Sequence, residues 1–262
     1  MKSVSEAELS RIWDMVFNLA LNFLHDESAA EEATQETFLR ASEAFASFRG
    51  ESALGTWIYR IAHNLLVDAR RTAFAEPISF EIFERDARHF VPYENELGLT
   101  VAETALYVEE IKIGCTKAML QCLDAEDRFA YILGKLFALP GRECAEIAGV
   151  TEDAFRQRLS RAARKVESFM NRNCGLVNAN ATCHCRKRIK IALDRGRIDA
   201  EALARREPTK RIRDYLAGMN DLDAVAEAFR DNPFLERSRL HADDIRHTVA
   251  LMERAETSSL NQ

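Results

Sequence analysis

Apolar residues recur along most of this chain at intervals of three and four, the spacing that lines one face of an α-helix. Leu9, Ile12, Trp13, Val16, Phe17, Ala20 and Phe23 form such a stripe and predict a first helix from Ser5 to Phe23. A second helix, capped by Asp26 or Ser28, runs to about Phe45. Phe48 to Ser52 is a polar break containing Gly50. A third helix follows from about Thr56 to Arg71, in which Trp57, Ile61 and Leu65 fall four apart and read as core. Between Glu76 and Thr100 the periodicity is weak, and Pro77, Pro92 and Gly98 interrupt it. That stretch is read as a linker with one short helix near Phe80 to Arg85. Helices resume over 101–122 and 125–137. No stretch alternates with period two, so the expected fold class is all-α.

The segment from Leu136 to Val166 carries the densest set of signals. Arg142 to Ala148 reads as a short helix with apolar Cys144, Ala145, Ile147 and Ala148. Gly149 ends it, because glycine accepts the left-handed conformation of a helix C-terminus. Thr151 caps the next helix, and Glu152 and Asp153 place negative charge in its first turn, where the helix dipole favours it. Ala154, Leu159 and Ala162 face a core, while Arg156, Arg158, Arg161, Arg164 and Lys165 project outward. A short supporting helix, a glycine turn and an arginine-rich second helix make a helix-turn-helix, whose second helix fits the DNA major groove. Arg156, Ser160 and Arg164 lie on one strip of that helix, and Arg158, Arg161 and Lys165 on another. Base-edge contacts are expected from Arg156 and Ser160, and phosphate contacts from Arg158, Arg161 and Lys165.

A second pair of motifs lies near the N-terminus. One is Glu32-Ala33-Thr34-Gln35-Glu36-Thr37-Phe38-Leu39-Arg40. The other is Phe48-Arg49-Gly50-Glu51-Ser52 followed by Thr56-Trp57-Ile58-Tyr59-Arg60-Ile61-Ala62-His63-Asn64. Together they resemble the core-binding and promoter-melting segment of bacterial sigma factors of the sigma-70 family, in the small extracytoplasmic-function (ECF) branch. The helix-turn-helix, preceded by Leu123-Asp124-Ala125-Glu126-Asp127-Arg128, stands where that family keeps its upstream-promoter reader. The resemblance covers about two thirds of the chain, to roughly Asn173. It implies a protein that binds RNA polymerase core, recognises promoter DNA and assists melting. It also implies site residues. Thr34, Gln35, Glu36, Phe38 and Arg40 would meet the polymerase. Arg49, Gly50, Glu51, Ser52, Tyr59, Arg60, Asn64, Arg70 and Arg71 would meet downstream-promoter DNA, as duplex and as melted strand. Thr151, Arg156, Arg158, Ser160, Arg161, Arg164 and Lys165 would meet upstream-promoter DNA. An anti-sigma or other regulator is compatible with this reading. The implied organisation is two small helical domains, 1–75 and 104–172, joined by a linker, 76–103, with a helical C-terminal extension, 173–262.

Composition limits the rivals. Hydrophobic residues make up 47% and charged residues 30%, as in a soluble globular protein. No run of about eighteen apolar residues predicts a membrane span, and the acidic start of the chain lacks a signal core, so the expected location is cytoplasmic. The formal net charge is −6, so basic character is local to the helix-turn-helix and its neighbours. There is no P-loop, no dinucleotide turn and no HExxH motif, so an enzyme is not expected and no cofactor is required. Two rivals remain: a dimeric helix-turn-helix regulator working without polymerase core, which leaves the N-terminal motifs unexplained, and a helical adaptor or signalling protein.

The tail adds separate chemistry. Cys174, Cys183, His184 and Cys185 fall within twelve residues and make a candidate zinc set, although neighbouring His184 and Cys185 do not easily share one ion. A local redox pair competes with it, and so does no role at all. The run Arg186 to Lys190 is expected to lower the thiol pKa values. Cys115, Cys122 and Cys144 sit in helical patterns and read as small core residues. Beyond them, a short helix is expected over 201–205, others over 211–219, 222–230 and 242–256. Leu222, Val225, Ala226 and Phe229 make one apolar stripe, and Ile245, Val249 and Met252 another.

Overall fold

In the computed structural model, residues 4–72, 78–88, 97–198 and 242–259 are described. The expected tail helices over 201–230 lie outside them. Among the described residues the chain is helical, with one isolated bridge between Cys174 and Cys183. The helices are α1 (Glu6–Leu24), α2 (Glu27–Ala44), α3 (Leu54–Thr72), α4 (Phe80–Arg88), α5 (Val101–Gln121), α6 (Ala125–Tyr131), α7 (Gly141–Ala148), α8 (Glu152–Asn173), α9 (Cys185–Asp194) and α10 (Ala242–Ser259). A 3₁₀ turn, Phe45–Ser47, follows α2, and a π-turn, Ile132–Leu136, follows α6. No helix among the described residues is long and apolar enough to cross a membrane.

Polar side chains set the helix starts. Ser5, Asp26, Thr100, Asp124 and Thr151 each accept a hydrogen bond from a backbone N–H in the first turn of the helix they precede. At Thr100 the partner Glu103 reaches back to the cap N–H, so two otherwise unpaired donors are satisfied together. Gly149 ends α7 with φ 64°, a conformation a side chain would strain.

The apolar stripe on α1 packs against α2, with Trp13 stacked on Phe38 at 4.2 Å between ring centroids. The same core continues through Ile58, Ala62 and Leu66 of α3 into Phe129, Ile132 and Leu133, then Ile147, Phe155 and Ala162. The N-terminal helices and the helix-turn-helix unit therefore share apolar contacts: α3 packs on α6 and α7, and α1 on α5. The short helix foreseen in the linker is α4, whose Phe83 stacks on Phe169 of α8 at 4.8 Å. In the extension, α10 packs on α1, α2 and the 3₁₀ turn. Met252 is buried there, and Ile245 and Val249 are packed beside it.

One arginine is buried as deeply as the apolar core. Arg128 of α6 is 1% exposed. Its Nε donates to the Leu120 carbonyl at 2.8 Å, and Nη1 to the Phe23 carbonyl at 2.9 Å. Its Nη2 donates to Gln121 and Leu123 at 3.0 and 3.1 Å. These carbonyls lie at the C-terminal ends of α1 and α5, where helices leave acceptors without partners and where the dipole favours a cation. The guanidinium also lies 5.2 Å from the Phe23 ring centroid.

Arg128→Ala removes a donor from four buried carbonyls, of which Leu120 keeps the Leu123 N–H and Phe23 the Gln121 side chain, and opens a cavity, with an expected cost of about 3–5 kcal/mol. Arg128→Lys keeps the charge but not the planar fork, so it should recover only part of the loss. Urea unfolding of the full chain, followed by circular dichroism, measures both. A parental midpoint for Arg128→Ala would remove the clamp role.

Candidate nucleic-acid interface

The helix-turn-helix predicted from the turn, cap and charge pattern forms with near-identical bounds, α7 and α8. Thr151 accepts from the Ala154 N–H at 3.2 Å and is itself exposed. The inward face of α8 carries Phe155, Ala162, Val166, Phe169 and Met170, with Leu159 half-buried. Phe155, at 1% exposure, is a core anchor that the sequence reading had not named.

The two basic strips of α8 meet different surroundings. Arg158 donates to Glu126 at 2.6 Å. Arg161 makes a forked contact with Asp127, at 2.6 Å from Nη2 and 2.9 Å from Nε. Lys165 reaches Asp127 at 2.7 Å and Asp124 at 3.2 Å. The three residues expected on phosphates thus hold α8 to α6. Arg156, Ser160 and Arg164 are exposed on the other strip, and Arg156 pairs with Asp153 one turn back. An exposed pair of this kind is worth little and opens readily. Burial works against the charge on Asp127, but hydrogen bonds from Arg161 and Lys165 outweigh it and hold the carboxyl below the usual carboxylate range.

The N-terminal site residues also divide. Thr34 and Phe38, expected at the polymerase, are core residues instead, at 0% and 1% exposure. Thr34 returns its hydroxyl to the Ala30 carbonyl at 2.6 Å, and Phe38 lies under Trp13. Period 3.6 turns them inward while Gln35, Leu39 and Arg40 face outward and Glu36 sits at the edge. Leu39 is 50% exposed, and Arg40 pairs with Glu36 at 2.7 Å.

In the expected DNA-melting segment, Arg49, Gly50 and Glu51 stand on an exposed loop with Ser52 half-buried beside them. Phe48 and Trp57 pack at 5.1 Å behind it. Tyr59 does not face outward. It is 6% exposed and donates its hydroxyl to Met15 Sδ, and burial, with Glu143 nearby, pushes its pKa up. Asn64 is exposed. Arg60 is exposed too but donates to the Glu146 carbonyl at 3.0 Å. Thr56 and Glu143 meet at 3.3 Å, so α3 and α7 are joined by polar as well as apolar contacts. The side chains of Arg70 and Arg71 lie outside the described residues.

Matching against known proteins follows this layout. The model for sigma-70 region 2 matches residues 11–74, the span of α1 to α3. The RNA polymerase sigma-H factor of Pseudomonas aeruginosa is 27% identical over 155 residues, covering 59% of this chain and 80% of that one. The ECF RNA polymerase sigma-E factor of Haemophilus influenzae is 27% identical over 137 residues, covering 52% and 72%. The chain belongs to the sigma-70 family, in its ECF branch. It is a sigma factor that initiates transcription. A solved sigma factor, RpoE of Bartonella quintana in complex with the anti-sigma factor NepR, overlays this one with a TM-score of 0.43 at 20% identity, covering 63% of this chain and 95% of that one.

The tail cysteines of this sigma factor have unexpected company. Cys174, Cys183 and Cys185 line one cavity of about 510 Å³, and Cys115 of α5 joins them there. His184 does not line it; its ring lies against Gly175, where an added Cβ would fall 2.4 Å from Nδ1. The basic run does not lower Cys183 and Cys185 as expected. Burial pushes Cys185 up to about 11 and raises Cys183, and Arg188 only partly offsets this at Cys183. Arg188 is itself engaged with Asp86, at 2.5 Å. Cys122 and Cys144 are raised by burial, to about 11 and about 12, as inert near-core thiols are.

The Asp127 contacts carry a pH signature. A carboxyl depressed in the folded state stabilises fully above its unfolded value of about 3.9 and loses that contribution as pH falls through the lower folded value. Asp127→Asn should therefore unfold at lower urea than the parent at neutral pH. The gap should close as pH drops below about 4. A gap unchanged across that range would assign the loss to packing rather than to charge.

Proposed function

We propose that this sigma factor engages RNA polymerase core through the outward strip of α2, made of Gln35, Glu36, Leu39 and Arg40. Leu39 offers an apolar anchor within a charged surround, the composition of an interface centre and its rim. The loop Arg49 to Ser52, together with Asn64 of α3, meets the downstream promoter element and the melted strand; cationic loops next to aromatic residues suit unstacked bases. Upstream DNA meets Arg156, Ser160 and Arg164 of α8.

The observation that carries this reading is the division of α8. Arg158, Arg161 and Lys165 serve the fold, which leaves the Arg156 strip outward on a helix of the right kind and position. The phosphate roles first given to Arg158, Arg161 and Lys165 pass in part to Arg164. Initiation of this kind requires no cofactor, since binding and strand opening involve no bond chemistry in the sigma factor. Its place of work is the cytoplasm, with polymerase and chromosome. A dimeric regulator without polymerase is not favoured, because the sigma-70 region 2 match lies on the N-terminal helices that such a regulator leaves unexplained.

Transcription reconstituted from core polymerase and promoter fragments tests the assignment. Arg156→Ala should relax preference at one upstream position by about 1–3 kcal/mol, and Arg164→Ala should weaken all sequences alike. Arg158→Ala should lower stability before it alters sequence preference. Glu36→Arg with Leu39→Ala should weaken core binding while the chain stays folded. Parental binding and transcription in the Arg156, Arg164 and Leu39 variants would overturn the reading.

A further inference from the structure

Four of the six cysteines come together from three separate segments. Cys115 is on α5, Cys174 follows the last turn of α8, and Cys183 and Cys185 flank the start of α9. The backbone explains the convergence. His184 is extended, with φ −118° and ψ 134°, so the residues on either side of it point one way and His184 points the other. This directs Cys183 and Cys185 into the cavity and the imidazole onto Gly175. An added Cβ at Gly175 would fall 2.4 Å from Nδ1, so a side chain there would displace the ring. The bridge between Cys174 and Cys183, closed by the Gly175 N–H donating to the Cys183 carbonyl at 2.9 Å, sets those two side by side at about the 4.8 Å spacing of paired strands. Packing of α5 against α9 supplies Cys115.

We propose that Cys115, Cys174, Cys183 and Cys185 form a four-thiolate site for zinc. Four soft sulfur donors in one cavity match the tetrahedral preference of that ion, and a structural site needs no open position. All four thiols line the one cavity of about 510 Å³. Zinc binding releases the thiol protons, four for four protonated cysteines, and leaves a complex of net charge −2. Lys112 and Arg188 line the same cavity and offset that charge. Cys185 is also the first residue of α9, where the helix dipole favours a thiolate.

Among the described residues, no three histidine, cysteine or acidic side chains are yet drawn around a common point. Protonated thiols pack as small apolar groups, and the sulfurs must converge when the ion binds. A disulfide between Cys174 and Cys183 would use two of the four. The ion would fasten α9 to α5 and to the end of the DNA-reading helix. The assignment stands on the cysteine geometry and does not depend on the transcription reading.

The test is metal binding by the full chain, reduced and stripped by a chelator, then titrated with zinc alone or with cobalt as a visible probe. One ion per chain is expected, with proton release and the absorption bands of tetrahedral cobalt–thiolate coordination, erased by zinc. Cys115→Ser, Cys174→Ser, Cys183→Ser and Cys185→Ser should each weaken binding beyond the roughly ten- to hundred-fold that loss of an outer-shell partner costs. His184→Ala and Cys144→Ser should bind as the parent does, and circular dichroism confirms that each variant is folded. No stoichiometric uptake by the folded parent would overturn the site. Parental affinity in folded Cys115→Ser, or loss of the ion in folded His184→Ala, would do so equally.

Discussion

Two neighbouring residues on α6 hold this molecule together, and they do so in opposite directions. Successive side chains on a helix diverge by about 100°. Arg128 therefore turns into the junction of α1 and α5, where it satisfies carbonyls that both helices leave open. Asp127 turns the other way and grips Arg161 and Lys165 of α8. A buried arginine would be a liability without acceptors, since a desolvated charge is expensive. Two helix C-termini supply the acceptors already oriented. One dipeptide on a seven-residue helix thus ties α8 to the N-terminal unit, beside the contacts of α3 with α6 and α7.

That arrangement constrains function. Arg60 of α3 can grip a phosphate or Glu146 of α7, but not both at full strength. His63 on the same helix lies edge-on to Phe129 at 4.4 Å, within the shared core. The face of α3 that the family resemblance assigns to DNA is partly covered by the first helix of the helix-turn-helix. Exposed and half-exposed ion pairs release at small cost, whereas the apolar contacts behind them do not. If the proposed DNA contacts of Arg60 form, the polar contacts between α3 and α7 must exchange first. Arg49 and Asn64 are exposed, the latter with its Oδ1 3.1 Å from His63 Nδ1 on the same helix.

What could be read from the sequence follows a physical line. Helix positions, the Gly149 turn and the Thr151 cap are local properties, governed by residues within four or five positions, and they were legible. Family motifs pointed to the sigma-70 reading, because the residue types at fixed spacing are themselves the signal. Side-chain direction was harder. Thr34, Phe38 and Tyr59 belong to matching motifs, yet a motif does not separate residues that touch a partner from residues that shape the helix presenting it. Amphipathic phase could have shown Phe38 to be inward, because Ala30, Ala33, Thr34, Thr37, Phe38 and Ala41 repeat at three and four. The partners of Arg158, Arg161 and Lys165 lie more than thirty residues away, and no local pattern announces them.

The cysteines show the same divide most sharply. The cluster from Cys174 to Cys185 was visible because it is short, and His184 looked like a member because sequence proximity takes no account of which way a side chain points. An extended residue between two others points to the opposite side, so the histidine was the least able of the group to join them. Cys115, about sixty residues upstream on a helix whose pattern reads as core, carried no mark of its own. Only the packing of α5 on α9 brings it in, while Asp86 of α4 gathers Arg188, Arg195 and Arg197 at the same junction. The extension is therefore no free appendage at its near end. Apolar packing, an acidic hub for three arginines and four thiols all meet where α9 joins the upstream unit. At its far end α10 lies on α1 and α2, against the helix that bears the proposed polymerase strip. A change in how that end is held would bear on the helix that carries the proposed polymerase strip.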